Sequence, residues 1–530
     1  MREWLSPRVV VPGLSTGVLL WLALPGGGNL WPLLFCALVP LLLALRGSSS
    51  SRAFWLGAWS GLAHFLFLLY WIVIVLGRYG EVPYSLAVLA LLLLALYMTL
   101  YFIAFSLAAR RLLHWPQPVF VLLTLPSLWV GFDWIRSWLL TGFPWMDLGY
   151  GLAGTPWLLQ SADLWGHYGL TWLIVLGNVL LALTIASRGR GQVAAWGVTL
   201  VIVALVGTYS NWRWSQLEIR LAEVKTLRVG LVQGNIEQDL KWSPEWQQET
   251  VDRYVAASRK LVEEQHPALL IWPEAALPFY PIDHELLDPV QALGREAGVP
   301  LLTGAPWYEP DYEQEQLRFY NSALLQNRDG LFASRYDKRH LVPFGEYVPL
   351  RRWLFFLRPL VETIGDFTVG SHPQALACDQ ARIGVLICFE SIFPELARKQ
   401  VTAGATLLAN LTNDAWYGRS SAPHQNMAMA VLRAVETRRT LVRAANTGIS
   451  GVVDPLGRIG LSSPLFQEWS GTAEVALMEE MTFFARGGYL FAPLCLVIGL
   501  MALMLALFRG TGYSVGSETR LEMVTWRVLK

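Results

Sequence analysis

The sequence predicts a multi-pass α-helical membrane protein, with about eight spans, into which one α/β domain is inserted. Composition is one reason, because 54% of the 530 residues are hydrophobic and 15% are charged. Soluble globular proteins carry about 25% charged residues. Distribution is the other reason: apolar runs fill residues 1–210 and 488–508, whereas residues 211–485 have an ordinary soluble composition.

Eight apolar runs are candidate membrane-spanning helices, which need roughly 20 residues each to cross a bilayer. We predict them at residues 9–25, 30–46, 54–76, 83–108, 118–137, 166–187, 193–210 and 487–508. A buried core helix is the alternative for any single run, but seven successive runs with almost no internal charge disfavour it. No convincing cleavage site follows the first run, so we expect it to be retained rather than removed as a signal peptide.

Arginine side chains indicate the orientation of these spans, because positively charged loops remain on the cytoplasmic side. Such residues precede the first span and follow the second, fourth, sixth and eighth, and they are scarce in the other loops. The N-terminus is then cytoplasmic, and seven crossings place the α/β domain outside the cytoplasm. We predict a membrane domain over 1–210, an extracytoplasmic domain over 211–485, an eighth helix over 486–508 and a cytoplasmic tail over 509–530.

The outward-facing loop over residues 138–165 is longer than its neighbours and contains Trp145 and Trp157. Tryptophan rings favour the headgroup level of a bilayer. We expect this loop to serve interfacial packing, and a lip for lipid or substrate beside the α/β domain is the alternative.

Residues 211–485 show short β-rich runs separated by helical stretches. We expect strands at 227–232, 268–272, 299–304, 320–326, 383–388, 405–410 and 440–445. We expect helices at 245–265, 285–297, 392–402 and 423–437. The alternation of strands with helices favours an α/β domain built on largely buried strands.

Several classes of function have no support in the sequence. The net charge of +1, without blocks of like charge, argues against a nucleic-acid partner. No glycine-rich phosphate-binding motif opens a helix, so a nucleotide site is not predicted. The four cysteines form neither a C-x-x-C pair nor a Cys/His cluster at metal-ligand spacing. We therefore expect no metal and no other cofactor.

Three segments carry residues suited to catalysis, and two of them end predicted strands, where α/β proteins commonly place reactive groups. Glu274 ends the buried stretch 270–274, and Cys388 ends the buried stretch 383–388. Lys338 and Glu346 lie eight residues apart in a loop that contains proline and glycine. Each alone has an ordinary explanation as a core cysteine, a strand end or a solvated charge.

Taken together, these residues supply the parts of a nucleophilic site. A thiol is an effective nucleophile as a thiolate, so Cys388 needs a proton acceptor or a nearby cation. Glu274 is the candidate acceptor. Lys338 is the candidate cation for the thiolate and for the oxyanion of a tetrahedral intermediate. Glu346 is suited to keep Lys338 charged or to assist proton transfer.

In this order the segments resemble the Glu–Lys–Cys set of the nitrilase superfamily of carbon–nitrogen hydrolases, over about residues 226–475. The matching stretches are Trp272-Pro273-Glu274, Tyr336-Asp337-Lys338, Cys388-Phe389-Glu390, residues 410–417 and residues 445–448. Seven spans before the domain, one after it, the stretch 229–236 and the pair Lys241-Trp242 extend the resemblance to the apolipoprotein N-acyltransferase family. The family implies a four-layer α-β-β-α sandwich for the soluble domain.

The resemblance implies a two-step acyl transfer. Cys388 attacks the acyl ester of a phospholipid, and the α-amine of a diacylglyceryl-cysteine at an apolipoprotein N-terminus then attacks the thioester. Glu274 matches the general base, and Lys338 matches the oxyanion stabiliser. The other matching positions are Glu346, Phe389 and Glu390 as supporting residues, and Trp242 and Trp416 as aromatic residues on mobile arms. Some relatives have Tyr at the Phe389 position, so no role that needs a hydroxyl is carried over. We expect a monomer in the bacterial inner membrane, with its catalytic domain on the periplasmic side.

Two other functions stay open at this point. The same three residues support a membrane-tethered amidase or nitrilase acting on a small amide, although one span suffices for a tether. A transporter or channel whose soluble domain only binds ligand is disfavoured because the spans are nearly free of charge, with Asp133 and Arg136 close to an interface. An oxidising compartment also raises the question of a disulfide between Cys378 and Cys388. We expect none, because that bond would silence the nucleophile.

Overall fold

The computed structural model describes residues 3–186, 189–282, 284–313, 315–347 and 367–512 of the chain. An assembly of apolar helices comes first along the chain, an α/β sandwich follows, and a last apolar helix returns to pack on the first assembly. We call the described residues up to Glu223, together with those from Phe483 onward, the helical part, and the strand-containing region between them the sandwich.

The apolar runs and the helical stretches of the sequence form α-helices. In chain order they are α1 Pro7–Ala23, α2 Val39–Leu45, α3 Ser50–Leu68, α4 Trp71–Ile74, α5 Tyr84–Leu112, α6 Pro118–Arg136, α7 Ala162–Ala186, α8 Arg190–Glu223, α9 Pro244–Gln265, α10 Leu287–Ala297, α11 Pro394–Thr402, α12 Ala422–Thr437, α13 Phe483–Arg486 and α14 Phe491–Gly512. The four helices predicted within the sandwich are confirmed as α9 to α12.

Among the described residues, five helices are long and apolar enough to cross a membrane, namely α5, α6, α7, α8 and α14. Helix α3 and the segment Trp71–Tyr79 make a sixth if they count as one span bent by 47°. Helix α1 and the segment Trp31–Leu45 are shorter apolar helices. The predicted runs are therefore helical, and the number of eight spans stays a prediction.

Helix α8 joins the helical part to the sandwich. It continues to Glu223, well past the predicted domain boundary at residue 210, and the first strand begins at Thr226. Near its end, Leu217 packs against Leu456 and Met478 of the sandwich. The predicted boundary therefore falls inside one continuous helix. Residue 187 of a predicted span and residues 513–530 of the predicted tail lie outside the described residues.

Two six-stranded sheets form the centre of the sandwich. The strands are β1 Thr226–Gln233, β2 Leu269–Ile271, β3 Leu301–Asp311, β4 Gln316–Gln326, β5 Phe332–Asp337, β6 Leu376–Cys378, β7 Ala381–Ile387, β8 Leu407–Thr412, β9 Leu441–Ala445, β10 Gly451–Val453, β11 Ile459–Ser462 and β12 Trp469–Ala476. Their orders are β12-β1-β2-β3-β4-β5 and β11-β10-β9-β8-β7-β6. The seven predicted strands are confirmed, and β5, β6, β10, β11 and β12 were not predicted.

Apolar side chains divide the sandwich into four layers. Val229 and Ile271 of the first sheet pack against side chains such as Val385 of the second sheet, which forms the inner core. Helices α9 and α10 cover the outer face of the first sheet with residues such as Tyr254 and Val290. Helices α11 and α12 cover the second sheet. The α-β-β-α arrangement is therefore confirmed.

Helix α12 packs against two parts of the protein, because it lies between the second sheet and the helical part. All of its residues except His424 are buried. Met427 and Val431 belong to the same apolar cluster as Trp145 and Leu159 of the helical part. A helix that is buried all round normally lies inside a protein. The contact between the two parts is accordingly an interior rather than a loose interface.

Gln425 ties one end of α12 to the break between α3 and α4. Its side-chain oxygen accepts from the indole N–H groups of Trp71 at 3.2 Å and Trp145 at 2.7 Å. Its amide nitrogen donates to the carbonyl of Leu68 at 3.3 Å and to the hydroxyl of Ser421 at 3.2 Å. The glutamine thereby satisfies buried polar groups on both sides of the contact.

Ion pairs fasten the other end of α12. The Glu436 carboxylate accepts from the backbone N–H of His167 at 2.8 Å and from the guanidinium of Arg433 at 3.0 Å. The His167 ring bonds to Asp147 at 2.8 Å, and Arg136 also contacts Asp147. Buried charges are tolerated when they are paired in this way. Arg136 is thus buried and helps to anchor this contact, and its expected position close to a membrane interface stays a prediction.

We predict that Gln425→Leu destabilises the contact between the two parts. The substitution leaves two indole N–H groups and a carbonyl without this partner, and each unsatisfied buried group costs about 1–3 kcal/mol. We expect a thermal-unfolding midpoint several degrees lower in detergent. Gln248→Leu, on the exposed face of α9, is the matched control. Equal midpoints for the two variants would refute this account of the contact.

Candidate active site

Glu274, Lys338 and Cys388 meet where strands of the two sheets end. Glu274 follows β2, Lys338 follows β5, and Cys388 follows β7. The Lys338 Nζ atom lies 3.5 Å from a carboxylate oxygen of Glu274 and 2.9 Å from one of Glu346. The exposed fractions are 8% for Glu274, 1% for Lys338 and 9% for Cys388. The structure therefore brings the four predicted residues into one buried cluster.

The backbone turns sharply at Cys388, where φ is +51°. A left-handed conformation is unfavourable for a residue with a Cβ atom, and such residues cluster at functional sites. The strand ends at Ile387, and a short 3₁₀ helix runs from Cys388 to Ile392. At this turn the thiol interacts electrostatically with Glu274 and Lys338, so it belongs to the cluster of charges.

The Glu390 carboxylate clamps the two segments that carry the cysteine and the lysine. It accepts from the backbone N–H of Ile387 at 2.7 Å, just before the cysteine. It also accepts from the backbone N–H of Arg339 at 2.7 Å and of His340 at 3.2 Å, just after the lysine. The Tyr336 hydroxyl donates to it at 3.0 Å. Burial raises the pKa of Glu390 to about 6, although these donors favour the carboxylate.

Two asparagines fix the carboxylate of Glu274. The Asn321 amide donates to one oxygen at 2.8 Å, and the backbone N–H of Asn413 donates to the other at 2.9 Å. Asn321 also donates to Glu346 at 2.8 Å. The two carboxylates beside Lys338 are consequently held at defined positions before any substrate arrives.

The Lys338 ammonium is kept charged inside the protein. Burial favours the neutral amine, but the carboxylates of Glu346 and Glu274 outweigh it and raise the pKa of Lys338 above its ordinary value. The second oxygen of Glu346 accepts from the backbone N–H of Val342 at 2.8 Å. A fixed buried cation of this kind is suited to stabilise a developing oxyanion.

The Cys388 thiol is protonated at rest. Burial raises its pKa to about 12, the carboxylate of Glu274 adds to the rise, and the charge of Lys338 opposes it. A thiolate therefore forms only when a neighbouring group accepts the proton. The Glu274 carboxylate is available for that step.

The remaining predicted residues lie around this cluster. Phe389 stacks near Phe143 at 6.2 Å and Trp145 at 6.5 Å, measured between ring centroids. Trp416 packs edge-on against Tyr79 of the helical part at 6.3 Å. Trp242 is 48% exposed. The gating role of the two tryptophans stays a prediction.

Sequence reasoning missed three kinds of contact at the site. Asn321 lies within β4, and nothing in its local pattern distinguishes it from another polar residue of a strand. Asn413 and Lys241 belong to stretches that match the family, but the sequence did not show that both contact Glu274. The loop after α6 was expected to be interfacial, yet Trp145 is fully buried against Phe389.

The question of a disulfide at Cys388 is answered by the register of the second sheet. Cys378 pairs with Ala381, which lies at the far end of β7. Ala381 precedes Cys388 by seven residues. Seven residues of strand span roughly 23 Å, whereas bonded cysteines have Cα atoms within about 7 Å of each other. Both thiols are free in the structure.

We predict that Glu390→Gln slows acylation of Cys388 about 100-fold, because small misplacements of reacting groups carry costs of that size. An amide has one oxygen acceptor and cannot replace a carboxylate that receives four hydrogen bonds. The measurement is the rate at which the cysteine becomes labelled by an activated acyl ester. Glu395→Gln, on the half-exposed side of α11, is the control. A normal rate in Glu390→Gln would show that the clamp is dispensable.

Comparisons with known proteins divide the chain in the same way as the structure. Residues 16–180 match the model of the apolipoprotein N-acyltransferase N-terminal domain, and residues 228–481 match that of carbon–nitrogen hydrolases. The amidase of Nesterenkonia sp. AN1, solved as a mutant, aligns with a TM-score of 0.36 and 20% identity over 49% of this chain and 96% of its own. A carbon–nitrogen hydrolase from Helicobacter pylori aligns with a TM-score of 0.36 and 16% identity over 48% and 89%.

Relatives that match along nearly the whole chain share one name. The apolipoprotein N-acyltransferase of Geobacter metallireducens is 42% identical over 504 residues, which cover 95% of this chain and 96% of the relative. Those of Methylococcus capsulatus and Gloeobacter violaceus are 36% and 34% identical, covering 87% and 93% of this chain and 91% and 93% of the relatives. The chain therefore belongs to the apolipoprotein N-acyltransferase family.

Proposed function

We propose that this protein transfers an acyl chain from a phospholipid to the α-amine of the N-terminal diacylglyceryl-cysteine of apolipoproteins. The acyl chain passes through a thioester on Cys388. The position of this cysteine is the main support. Its thiol interacts with the charges of the paired Glu274 and Lys338, while the next residue, Phe389, packs near Phe143 of the helical part. A hydrophilic reaction centre is thereby set beside the apolar helices.

In the first step, Glu274 accepts the thiol proton as the sulfur attacks the ester carbonyl carbon of the phospholipid. Negative charge moves to the carbonyl oxygen, where the Lys338 ammonium stabilises it. The intermediate then collapses with cleavage of the ester C–O bond. The proton on Glu274 passes to the departing alkoxide, so a lysophospholipid leaves and the acyl chain remains on sulfur.

In the second step, the neutral α-amine of the diacylglyceryl-cysteine attacks the thioester carbonyl. Glu274 accepts a proton from the attacking nitrogen, and Lys338 again stabilises the oxyanion. The C–S bond breaks, an amide forms, and the proton returns to the cysteine sulfur. The thioester carries the acyl-transfer potential, so the reaction needs neither ATP nor a cofactor.

Both substrates are lipids held in a membrane, so a centre beside the apolar helices meets them by diffusion in two dimensions. We propose that the protein is a monomer of the bacterial inner membrane with about eight spans. The sandwich then lies on the periplasmic side, in accord with the alternation of arginine-rich loops. The exposed ring of Trp242 and the ring of Trp416 beside Tyr79 are proposed to gate substrate entry.

We predict that incubation with a phospholipid labelled in its acyl chain places a thioester-linked label on the wild-type protein. Cys388→Ala should remain folded and unlabelled because it lacks the nucleophile. Cys378→Ala is the matched control, since Cys378 lies in β6 beside the far end of β7 and the loss of its thiol should leave labelling intact. Treatment with neutral hydroxylamine should release the label. Label that resists hydroxylamine, or that persists in Cys388→Ala, would contradict the mechanism.

The orientation has its own test in thiol labelling of intact cells. We predict that a reagent unable to cross the inner membrane modifies Ser243→Cys, at the start of α9 in the sandwich. Ser50→Cys, in a loop predicted to be cytoplasmic, should stay unmodified until the membrane is permeabilised. The reverse pattern would overturn the proposed orientation.

A further inference from the structure

A second buried lysine, Lys241, faces the reaction centre and takes no part in the steps described above. It is 1% exposed, whereas its neighbour Trp242 is 48% exposed. The two lie in the segment between β1 and α9, so one side chain points into the protein and the next points out. Burying a lysine is costly unless polar or charged groups compensate, because its ammonium group loses hydration.

The segment that carries Lys241 is fastened to the same loops that form the site. The Asn446 side chain accepts from the backbone N–H of Ile236 at 2.9 Å and donates to the Ile236 carbonyl at 2.8 Å. Asn413 donates to Gln238 at 2.7 Å, and its backbone N–H holds the Glu274 carboxylate. The position of Lys241 is therefore coupled to the position of the general base.

The Lys241 Nζ atom donates to the backbone carbonyl of Glu274 at 3.1 Å. Its charge also interacts with the carboxylate of Glu274 and with the sulfur of Cys388. Lys241 therefore contacts the main chain of Glu274, whereas Lys338 and Asn321 contact its carboxylate. The general base is thus held at both its backbone and its side chain.

The charge of Lys241 also bears on the chemistry of the site. Glu274 and Glu346 carry two negative charges around the single positive charge of Lys338. Proton transfer from the thiol to Glu274, and attack on the ester, move negative charge without removing it. A second ammonium, that of Lys241, balances the second of these two carboxylates through both steps, which lowers the cost of holding the anion in a buried site.

We propose that Lys241 is a positioning residue of acyl transfer. Its ammonium holds the backbone of Glu274 in place and supplies the second positive charge that the thiolate and the oxyanion need. The inference rests on the proposed function, because it concerns the formation of the thioester on Cys388.

Burial lowers the pKa of Lys241 to about 8, against the opposing influence of Glu274 and Cys388. The other charged groups at the site are the Glu390 carboxylate, whose pKa of about 6 lies below that of Lys241, the Lys338–Glu346 pair and the paired Asp414 and Arg443. Lys241 is therefore charged below about pH 8 and neutral above it. Thioester formation should decline as the pH rises through this value. The first half-reaction isolates the effect, because no substrate amine titrates in it.

The experiment measures the rate of thioester formation by full-length protein with labelled phospholipid and no amine acceptor, from about pH 6 to about pH 10. Lys241→Met should lower the rate at neutral pH by roughly 10- to 100-fold, in line with one misplaced catalytic group. Lys241→Arg should recover most of that rate and should lose the decline above pH 8, because a guanidinium stays charged. Lys260→Met, on the exposed face of α9, should match the wild type at every pH.

Three outcomes would overturn the role of Lys241. They are a normal rate in Lys241→Met, a flat wild-type profile above pH 8, and a decline that persists in Lys241→Arg. The thermal midpoint of each variant separates a charge effect from misfolding, and the Arg variant decides the matter if the Met variant does not fold. A wild type that forms no thioester at any pH would instead refute the proposed function, so the two failures are distinguishable.

Discussion

The ammonium of Lys338 lies in the interior between the carboxylates of Glu274 and Glu346. A buried cation is stable only while its partners hold their positions, since removing one partner of a buried ion pair costs about 3–5 kcal/mol. Asn321 donates to both carboxylates and so fixes their separation. Glu390 then ties the lysine-bearing loop to the strand that ends at the cysteine. The charge on one lysine thereby constrains the ends of strands from both sheets.

Helix α12 determines how this site meets the apolar helices. Its residues fill the space between the second sheet and the helical part, and polar groups anchor it at Gln425 and Glu436. The same contact brings Trp145 against Phe389, beside the nucleophile. Residues 228–481 match the carbon–nitrogen hydrolase model, and under the proposed function the helical part determines which electrophile reaches the site. Under the proposed function, this arrangement places a hydrolase-like cluster where membrane lipids can reach it.

The sequence permitted prediction of those features that depend on local pattern. The buried strands that lead to Glu274 and Cys388 carry continuous apolar runs, so they were predicted within a few residues. Long apolar stretches likewise predicted the helices of the helical part, although not the end of α8. Short edge strands such as β6 and β11 bury few side chains and leave a weak pattern. The contacts of Asn321 and Lys241 join residues far apart in sequence. Helix α8 continues to Glu223 because the chain stays helical beyond the end of the apolar run, which was the only signal used to predict its end.

The central claim is that the Lys338 ammonium stabilises the negative charge on the acyl carbonyl oxygen while the sulfur of Cys388 attacks the carbonyl carbon. A structure of full-length Cys388→Ala with a bound phospholipid tests this most directly, because the lipid cannot react. The account predicts the ester carbonyl oxygen within about 3 Å of the Lys338 Nζ atom, with the acyl chain directed toward the helical part. An ester carbonyl held by another group, with Lys338 still enclosed by its two carboxylates, would contradict it.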